Sequence, residues 1–144
     1  MNDRYLYRAK RKNWRELQKE KWWVTGYLVN KKCGKYSTVG FEEFEEMVIV
    51  TQFSDGGIDW CYIEKDTICQ CTGLKDKNGK LILENDIVKH DFGEDQIGVQ
   101  LAIVKYDSKY ACYQIKPIYD WMYCDKSDCE VIGNIFDNPE LLEK

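Results

Sequence analysis

Short runs of β-branched and aromatic residues, separated by turn residues, dominate the pattern of apolar and polar positions. These runs occupy residues 22–29, 47–53, 59–64, 81–83, 86–89, 98–106, 111–118 and 130–136. Runs of this length and composition suit a half-buried pleated surface, so each predicts a β-strand. Their regular spacing predicts a mainly β protein built as a small barrel or sandwich.

Glycine and asparagine mark the predicted turns between these strands. The polar segment 30–34 predicts a turn directly after the first strand. Gly56 and Gly57 predict a hairpin that joins the next two strands, because glycine supplies the positive φ of a tight connection. Asn78-Gly79 predicts a type I′ turn, in which both central residues take positive φ.

The end of the chain carries the signals of a helix start. Asn138 can accept hydrogen bonds from the first free amides of a helix, and Pro139 loses no bond at the first helical position. Glu140 follows in the first turn, where a negative charge faces the positive end of the helix dipole. We therefore predict a short C-terminal helix.

Composition and cysteine content narrow the class of protein. The chain has 144 residues, of which 44% are hydrophobic and only two are proline, and this excludes a disordered or collagen-like protein. No apolar stretch is long enough to span a bilayer, and the first residues lack the pattern of a secretory signal. Seven cysteines without an export signal indicate reduced thiols, so a cytoplasmic protein without membrane contact is predicted.

The charge of the chain is unevenly distributed. Net charge is −4, yet residues 1–40 contain eleven Lys or Arg and three Asp or Glu, which is a balance of +8. The remaining residues have a balance of −12. A basic first third indicates either nucleic-acid binding or docking on an acidic surface, of the same chain or of a neighbouring copy. We favour solvated or docking charge over nucleic-acid binding, and docking in particular because the balance of +8 faces a balance of −12 in the remainder of the same chain.

Aromatic side chains alternate with the cations of this basic segment. The candidate residues for contact with a partner or with nucleic acid are Arg8, Lys10, Arg11, Lys12, Trp14, Arg15, Trp22 and Trp23. Bases stack on aromatic rings while cations hold phosphates, so the set would suit a single strand of nucleic acid. The same rings suit a protein core or an oligomer interface, which is the interpretation that we favour.

No motif in the chain predicts catalysis or a bound cofactor. Residues 73–81 fail as a phosphate-binding loop, because five residues separate the two glycines and Leu81 replaces the hydroxyl residue. His90 is the single histidine, which excludes a two-histidine metal site. Cys124 and Cys129 form one cysteine pair without the second that structural zinc requires. We therefore predict a protein with no enzymatic activity, no metal and no cofactor.

Three blocks of sequence carry a resemblance to a known family. They are residues 4–11 with 23–27, residues 70–80 with 84–89, and residues 130–142. Together they resemble the YopX family of phage and prophage proteins from Gram-positive bacteria. The chain has Ala9 and Asn85 where the family usually has glycine. Asparagine tolerates the left-handed backbone, so a turn at Asn85 can be kept.

The resemblance implies a mostly β fold encoded on mobile phage DNA, and it implies no activity. We expect a single unit over residues 1–144 with two possible lobes: an N-terminal β lobe (1–70) and a C-terminal SH3-like small barrel (71–144). We expect a non-catalytic binding or regulatory protein that forms a homo-oligomer and acts on a host or phage protein. The alternative is an accessory protein that binds nucleic acid through the basic first third.

Overall fold

The computed structural model describes residues 5–52, 55–91, 98–109, 111–117 and 129–143. Within these ranges, ten β-strands and several short 3-10 helices account for the regular structure, which confirms the predicted mainly β fold. The chain divides into two compact units, one of residues Tyr5–Cys69 and one of the described residues from Gln70 onward. No helix in the described part of the chain has the length and hydropathy of a membrane span.

The first unit is an antiparallel sheet with the strand order β4-β3-β2-β1. Its strands are β1 (Tyr7–Lys10), β2 (Trp23–Ser37), β3 (Gly40–Gln52) and β4 (Ile58–Tyr62). Three 3-10 helices accompany them, at Trp14–Glu16, Lys19–Lys21 and Lys65–Thr67. The core of this unit contains Ala9, Val24, Ile49, Cys61 and Ile63. The predicted hairpin between the runs 47–53 and 59–64 is confirmed as the pairing of β3 with β4.

The turn predicted at residues 30–34 is wrong, because β2 continues without interruption to Ser37. Its partner β3 pairs with it from Tyr27↔Val50 to Ser37↔Gly40, and the chain reverses at residues 38–39. Glycine fits at position 34 inside the strand because the ring of Phe41 occupies the space that the Cβ of any other residue would need. Long cross-strand pairing thus overrides the local turn preference of the segment.

The second unit contains a hairpin and a four-stranded antiparallel sheet. The hairpin pairs β5 (Cys69–Lys75) with β6 (Leu81–Leu83). The sheet has the order β10-β7-β8-β9, with β7 (Asp86–Asp91), β8 (Val99–Asp107), β9 (Cys112–Pro117) and β10 (Cys129–Asn134). Its core contains Ile82, Val88, Ala102, Val104, Cys129 and Val131. The closed SH3-like barrel stays a prediction.

Hydrogen bonds to the carboxylate of Asp76 stabilise the connection between β5 and β6. Its Oδ1 accepts hydrogen bonds from the backbone N–H groups of Asn78 and Lys80, both at 2.9 Å, and its Oδ2 accepts one from Val131 N at 2.9 Å. Gly79 N donates to Asp76 O, and Gly79 has a φ of +81°, whereas Asn78 does not have positive φ. The predicted type I′ turn is therefore wrong, and a three-residue turn ending in a left-handed glycine replaces it.

The same contacts set the charge state of Asp76. Burial alone would raise the pKa of this carboxyl, but the bonds from Val131, Lys80 and Asn78 and the charge of Lys80 lower it. The net result is a pKa below the ordinary value of 3.8. Asp76 is thus held as a carboxylate that joins the β5–β6 turn to β10.

Asn85 occupies the turn between β6 and β7 with a φ of +68°. Its backbone N–H donates to Val104 O, and its carbonyl accepts from Ile135 N. Lys105 Nζ donates to the side-chain Oδ1 of Asn85. The expectation that Asn85 can take left-handed backbone is confirmed.

The C-terminal segment differs from its prediction. Residues Pro139–Leu142 form a 3-10 helix of four residues, and the side chain of Asn138 makes no capping bond to it. Asn138 Oδ1 instead accepts a hydrogen bond from Asn134 N at 3.3 Å. A Cβ at Gly133 would lie 2.5 Å from this same Oδ1, so glycine there leaves room for the asparagine. The predicted capping role of Asn138 is wrong.

Replacing Gly79 with valine should lower the free energy of unfolding by roughly 1 kcal/mol or more, because a β-branched residue resists positive φ. A Cβ at this position meets no atom within 4 Å, so the cost is one of backbone conformation alone. Urea denaturation measures it. Gly79→Asn is the matched control and should lose less stability, and equal midpoints for the valine variant and the parent would contradict the turn geometry.

Candidate functional site

A cluster of three tryptophans surrounds the end of β1. The ammonium nitrogen of Lys10 lies 4.0 Å from the ring centre of Trp14, 4.8 Å from that of Trp22 and 5.4 Å from that of Trp23. Lys10 is only 5% exposed. A cation over aromatic faces is attracted by the ring quadrupoles, and the attraction grows when water is excluded. We call this arrangement the tryptophan cage.

Short-range structure brings the rings of the cage together. The 3-10 helix at Trp14–Glu16 places the ring of Trp14 against that of Trp22 in a T-shaped contact, with 4.8 Å between ring centres. The indole N–H of Trp22 donates to Leu17 O at 3.0 Å. Trp23 follows as the first residue of β2 and is the register partner of Lys10. The residues of the cage are thus close in sequence, and the pairing of β1 with β2 completes the cage.

The remaining predicted contact residues lie around this cage in the same unit. The guanidinium of Arg8 lies 4.8 Å from the ring centre of Trp23, and that of Arg15 lies 4.5 Å from that of Trp14. Arg11 donates from Nε to Lys21 O and from Nη1 to Cys61 Sγ. The fold therefore brings all eight predicted residues together, with most of their cations already in contact with aromatic or polar groups.

Two of the cations make ion pairs with acidic side chains of the same unit. Lys12 Nζ lies 3.3 Å from Glu46 Oε1, and Arg15 Nη1 lies 3.6 Å from Glu64 Oε1. The side chains of Lys12 and Arg15 remain 59% and 71% exposed. Exposed pairs of this kind contribute little stability, on the order of 0–1 kcal/mol each. Lys12 and Arg15 therefore face acidic side chains of the same unit.

A groove of about 800 Å³ lies beside these residues. Its charged lining consists of the cations Arg11 and Lys12 and the carboxylates of Glu16, Glu46 and Asp59. The aromatic side chains of Phe44, Trp60 and Tyr62 also line it. These three aromatic side chains are exposed. A groove of this size with aromatic walls and charged groups of both signs can hold an extended peptide or an aromatic side chain of a partner.

Sequence reasoning missed the aromatic residues of this groove. Along β4, Cys61 is buried while Trp60 and Tyr62 are exposed. Lys31 Nζ lies 5.1 Å from the ring centre of Trp60 and 5.6 Å from that of Tyr62. The available signal was that both faces of this strand carry apolar side chains, although a half-buried strand needs only one apolar face.

The thiols and the histidine do not form a metal cluster within the ranges that the structure describes. No three His, Cys, Asp or Glu side chains come together there as metal ligands. The six described cysteines are not joined in disulfides; they lie at positions 33, 61, 69, 71, 112 and 129. Cys124, the partner of Cys129 in the sequence-based comparison with zinc sites, lies outside the described residues. The predicted absence of metals and cofactors stays a prediction.

Comparison with known proteins adds a family and a solved structure. The family model named YopX protein matches residues 6–143. The crystal structure of protein EF1440 from Enterococcus faecalis is similar, with 23% identity and a TM-score of 0.47 over 95% of this chain and 96% of that chain. No curated protein matches the chain.

Proposed function

Since the chain belongs to the YopX protein family, we propose that it is a non-catalytic binding protein that recognises a protein partner in the bacterial cytoplasm. It acts as a phage- or prophage-encoded regulator of a host or phage protein, and it associates with copies of itself. The groove beside the tryptophan cage is its contact surface. The alternative function, nucleic-acid binding through the basic first third, is kept as an outcome of the test.

One observation carries the proposal: the cations that would hold phosphates are engaged inside the unit. Lys10 lies within the tryptophan cage, Lys12 pairs with Glu46, and Arg15 pairs with Glu64. A nucleic acid would have to displace Lys10 from the tryptophan cage, whereas the pairs of Lys12 and Arg15 are weak and leave those two side chains exposed. The ring faces toward Lys10 are likewise covered and do not serve as stacking platforms for bases.

The aromatic side chains that remain accessible favour a protein partner. Trp60, Tyr62 and Phe44 are exposed along one groove, next to Arg11 and Lys12. Aromatic residues and arginine dominate the energetic centres of protein interfaces. The side chains of Lys12 and Arg15 remain exposed. Two accessible cations can contact two phosphates, and this is the support that the structure offers for the nucleic-acid alternative.

The experiment compares binding to protein with binding to nucleic acid. We expect the chain to capture a protein partner from bacterial host cells, and we expect this complex to survive nuclease digestion. Trp60→Ser should release the partner, because the groove loses an aromatic wall. Val99→Ser removes an exposed apolar side chain from the second unit and is the matched control. Retention of the partner by the Trp60 variant would contradict the groove as the contact surface.

The nucleic-acid alternative has a salt signature. Binding to mixed-sequence DNA and RNA is measured between about 50 and 200 mM salt, where six or more phosphate contacts would change affinity by orders of magnitude. Lys12→Gln/Arg15→Gln removes the two exposed cations of the eight candidate contact residues, and Lys75→Gln/Lys89→Gln makes the same charge change on exposed lysines of the second unit. Tight, salt-sensitive binding that only the first variant loses would reverse the assignment.

A further inference from the structure

Part of the long β2–β3 hairpin has no neighbouring strand within the ranges that the structure describes. β1 pairs with β2 only from Trp23 to Gly26, and β4 pairs with β3 only from Val48 to Gln52. Residues 31–37 of β2 and 40–46 of β3 pair only with each other among the described residues. We call this two-stranded segment the edge ribbon.

The edge ribbon is costly to leave uncovered. Both of its outer edges present rows of backbone N–H and C=O groups, which are templates for pairing with a further strand. A two-stranded ribbon alone in water is marginally stable at best. It also exposes large apolar side chains: Tyr36 is 87% and Val39 is 86% exposed, and Phe41 lies against Tyr36 with 5.0 Å between ring centres.

The two edges carry opposite charge. The β2 side of the ribbon has Lys31, Lys32 and Lys35, and the β3 side has Glu42, Glu43, Glu45 and Glu46. Within the chain, Lys32 is the register partner of Glu45, and Lys35 is that of Glu42. Opposite charges on facing strands are stabilising and like charges are destabilising. Two β2 edges, or two β3 edges, would therefore repel each other.

We propose that the edge ribbon is an interface between copies of this chain, in which the β2 edge of one copy pairs with the β3 edge of the next. The strands then alternate in direction around the assembly, which makes every new pair antiparallel, like those inside the chain. Such a contact is heterologous, so it leaves no free edge only if the copies close into a ring. The inference rests on the proposed self-association and assigns it a surface.

Charge complementarity favours a second copy of this chain as the partner of the edge ribbon. In the register found inside the chain, each junction places Glu45 beside Lys32 and Glu42 beside Lys35 of the neighbouring copy. Every lysine of these pairs then lies between two glutamates. A single copy with solvated ribbon edges, or the strand of an unrelated protein, is the alternative that the experiment separates.

The test uses the full chain and two charge-reversed variants, Lys32→Glu/Lys35→Glu and Glu42→Lys/Glu45→Lys. Molar mass is measured by light scattering and native mass spectrometry across a range of protein concentrations, and far-UV circular dichroism checks that each variant keeps its β structure. We expect the parent to be oligomeric and each variant alone to associate about tenfold or more weakly, because every junction then faces like charges.

Mixing separates contacts between copies from contacts within a copy. In an equimolar mixture of the two variants, junctions between unlike chains are complementary, while each chain keeps like charges across its own ribbon. We expect the mixture to regain the mass that either variant loses alone. The variant with all four substitutions restores both kinds of pair and should assemble like the parent.

Three outcomes overturn the inference. Charge-reversed variants with the mass of the parent would place self-association elsewhere on the chain and leave that part of the proposed function standing. A mixture that stays dissociated would assign the charge effect to contacts within each chain. A monomeric parent would remove self-association itself, while capture of a protein partner through the groove would still be tested separately by Trp60→Ser.

Discussion

Replacing Gly26 with alanine is expected to lower the free energy of unfolding by about 3 kcal/mol or more, or to prevent folding of the first unit. Gly26 lies in β2 opposite Tyr7 of β1. A Cβ at this position would lie 2.3 Å from the carbonyl oxygen of Val50 and 2.9 Å from Cγ2 of Ile49. The oxygen belongs to the backbone of β3, so relief requires the strands to separate. Urea denaturation with the parent as reference measures the loss.

Gly34→Ala is the matched control for this prediction. A Cβ at Gly34 would also approach an atom to 2.3 Å, but that atom is Cζ of Phe41, at the far end of an exposed side chain that can rotate away. The Gly34 variant should therefore lose much less stability than the Gly26 variant. Similar losses in the two variants would show that backbone crowding at Gly26 is not what requires glycine there.

Replacing Asp76 with alanine is expected to cost about 3 kcal/mol or more of stability. Three backbone N–H groups, those of Asn78, Lys80 and Val131, lose a charged acceptor at once. Hydrogen bonds to charged groups contribute about 1.5–3 kcal/mol each, and a buried donor left without a partner adds its desolvation cost. Chemical denaturation measures the difference. Asp66→Ala, at an exposed aspartate in a 3-10 helix, is the control and should be close to neutral.

The same carboxylate makes the free energy of unfolding depend on pH in the acidic range. The pKa of Asp76 in the folded chain lies below its ordinary value of 3.8, so the folded state binds fewer protons than the unfolded state as the carboxyl titrates. Its contribution is complete above that ordinary value and is lost as pH falls through the lower folded pKa. In Asp76→Asn this component of the acid-induced loss should be absent. An unchanged pH profile below about pH 4 would contradict the assignment.

The glycines and polar residues of the family-like blocks acquire physical roles in the structure. Gly26 leaves room for the backbone of β3, Gly133 leaves room for Asn138, and Asp76 links two distant segments. Each role is one of folding, and none requires a ligand. Of the named lining residues of the candidate groove, Arg11 belongs to these blocks, whereas Trp60 and Tyr62 lie outside them.

The mainly β fold and the β3–β4 hairpin could be predicted from the amino-acid sequence, and the family resemblance indicated that Asn85 could keep a left-handed turn. Each depends on residues close to one another in the chain, where alternation of apolar side chains and the conformational preferences of glycine and asparagine act directly. The grouping of the eight candidate contact residues also followed from their proximity in sequence, since β1 and the start of β2 are close along the chain.

The roles that depend on distant segments could not be predicted in this way. Residues 30–34 have the composition of a turn, but pairing with β3 extends β2 through them. Asn78-Gly79 has the composition of a type I′ turn, but Asp76 accepts a bond from Val131, 55 residues further on, and the turn takes another form. The burial of Lys10 likewise needs three rings that its own position does not reveal. Local preferences amount to about 1 kcal/mol per residue, whereas strand register and a buried carboxylate with three donors contribute several, so the tertiary contacts prevail.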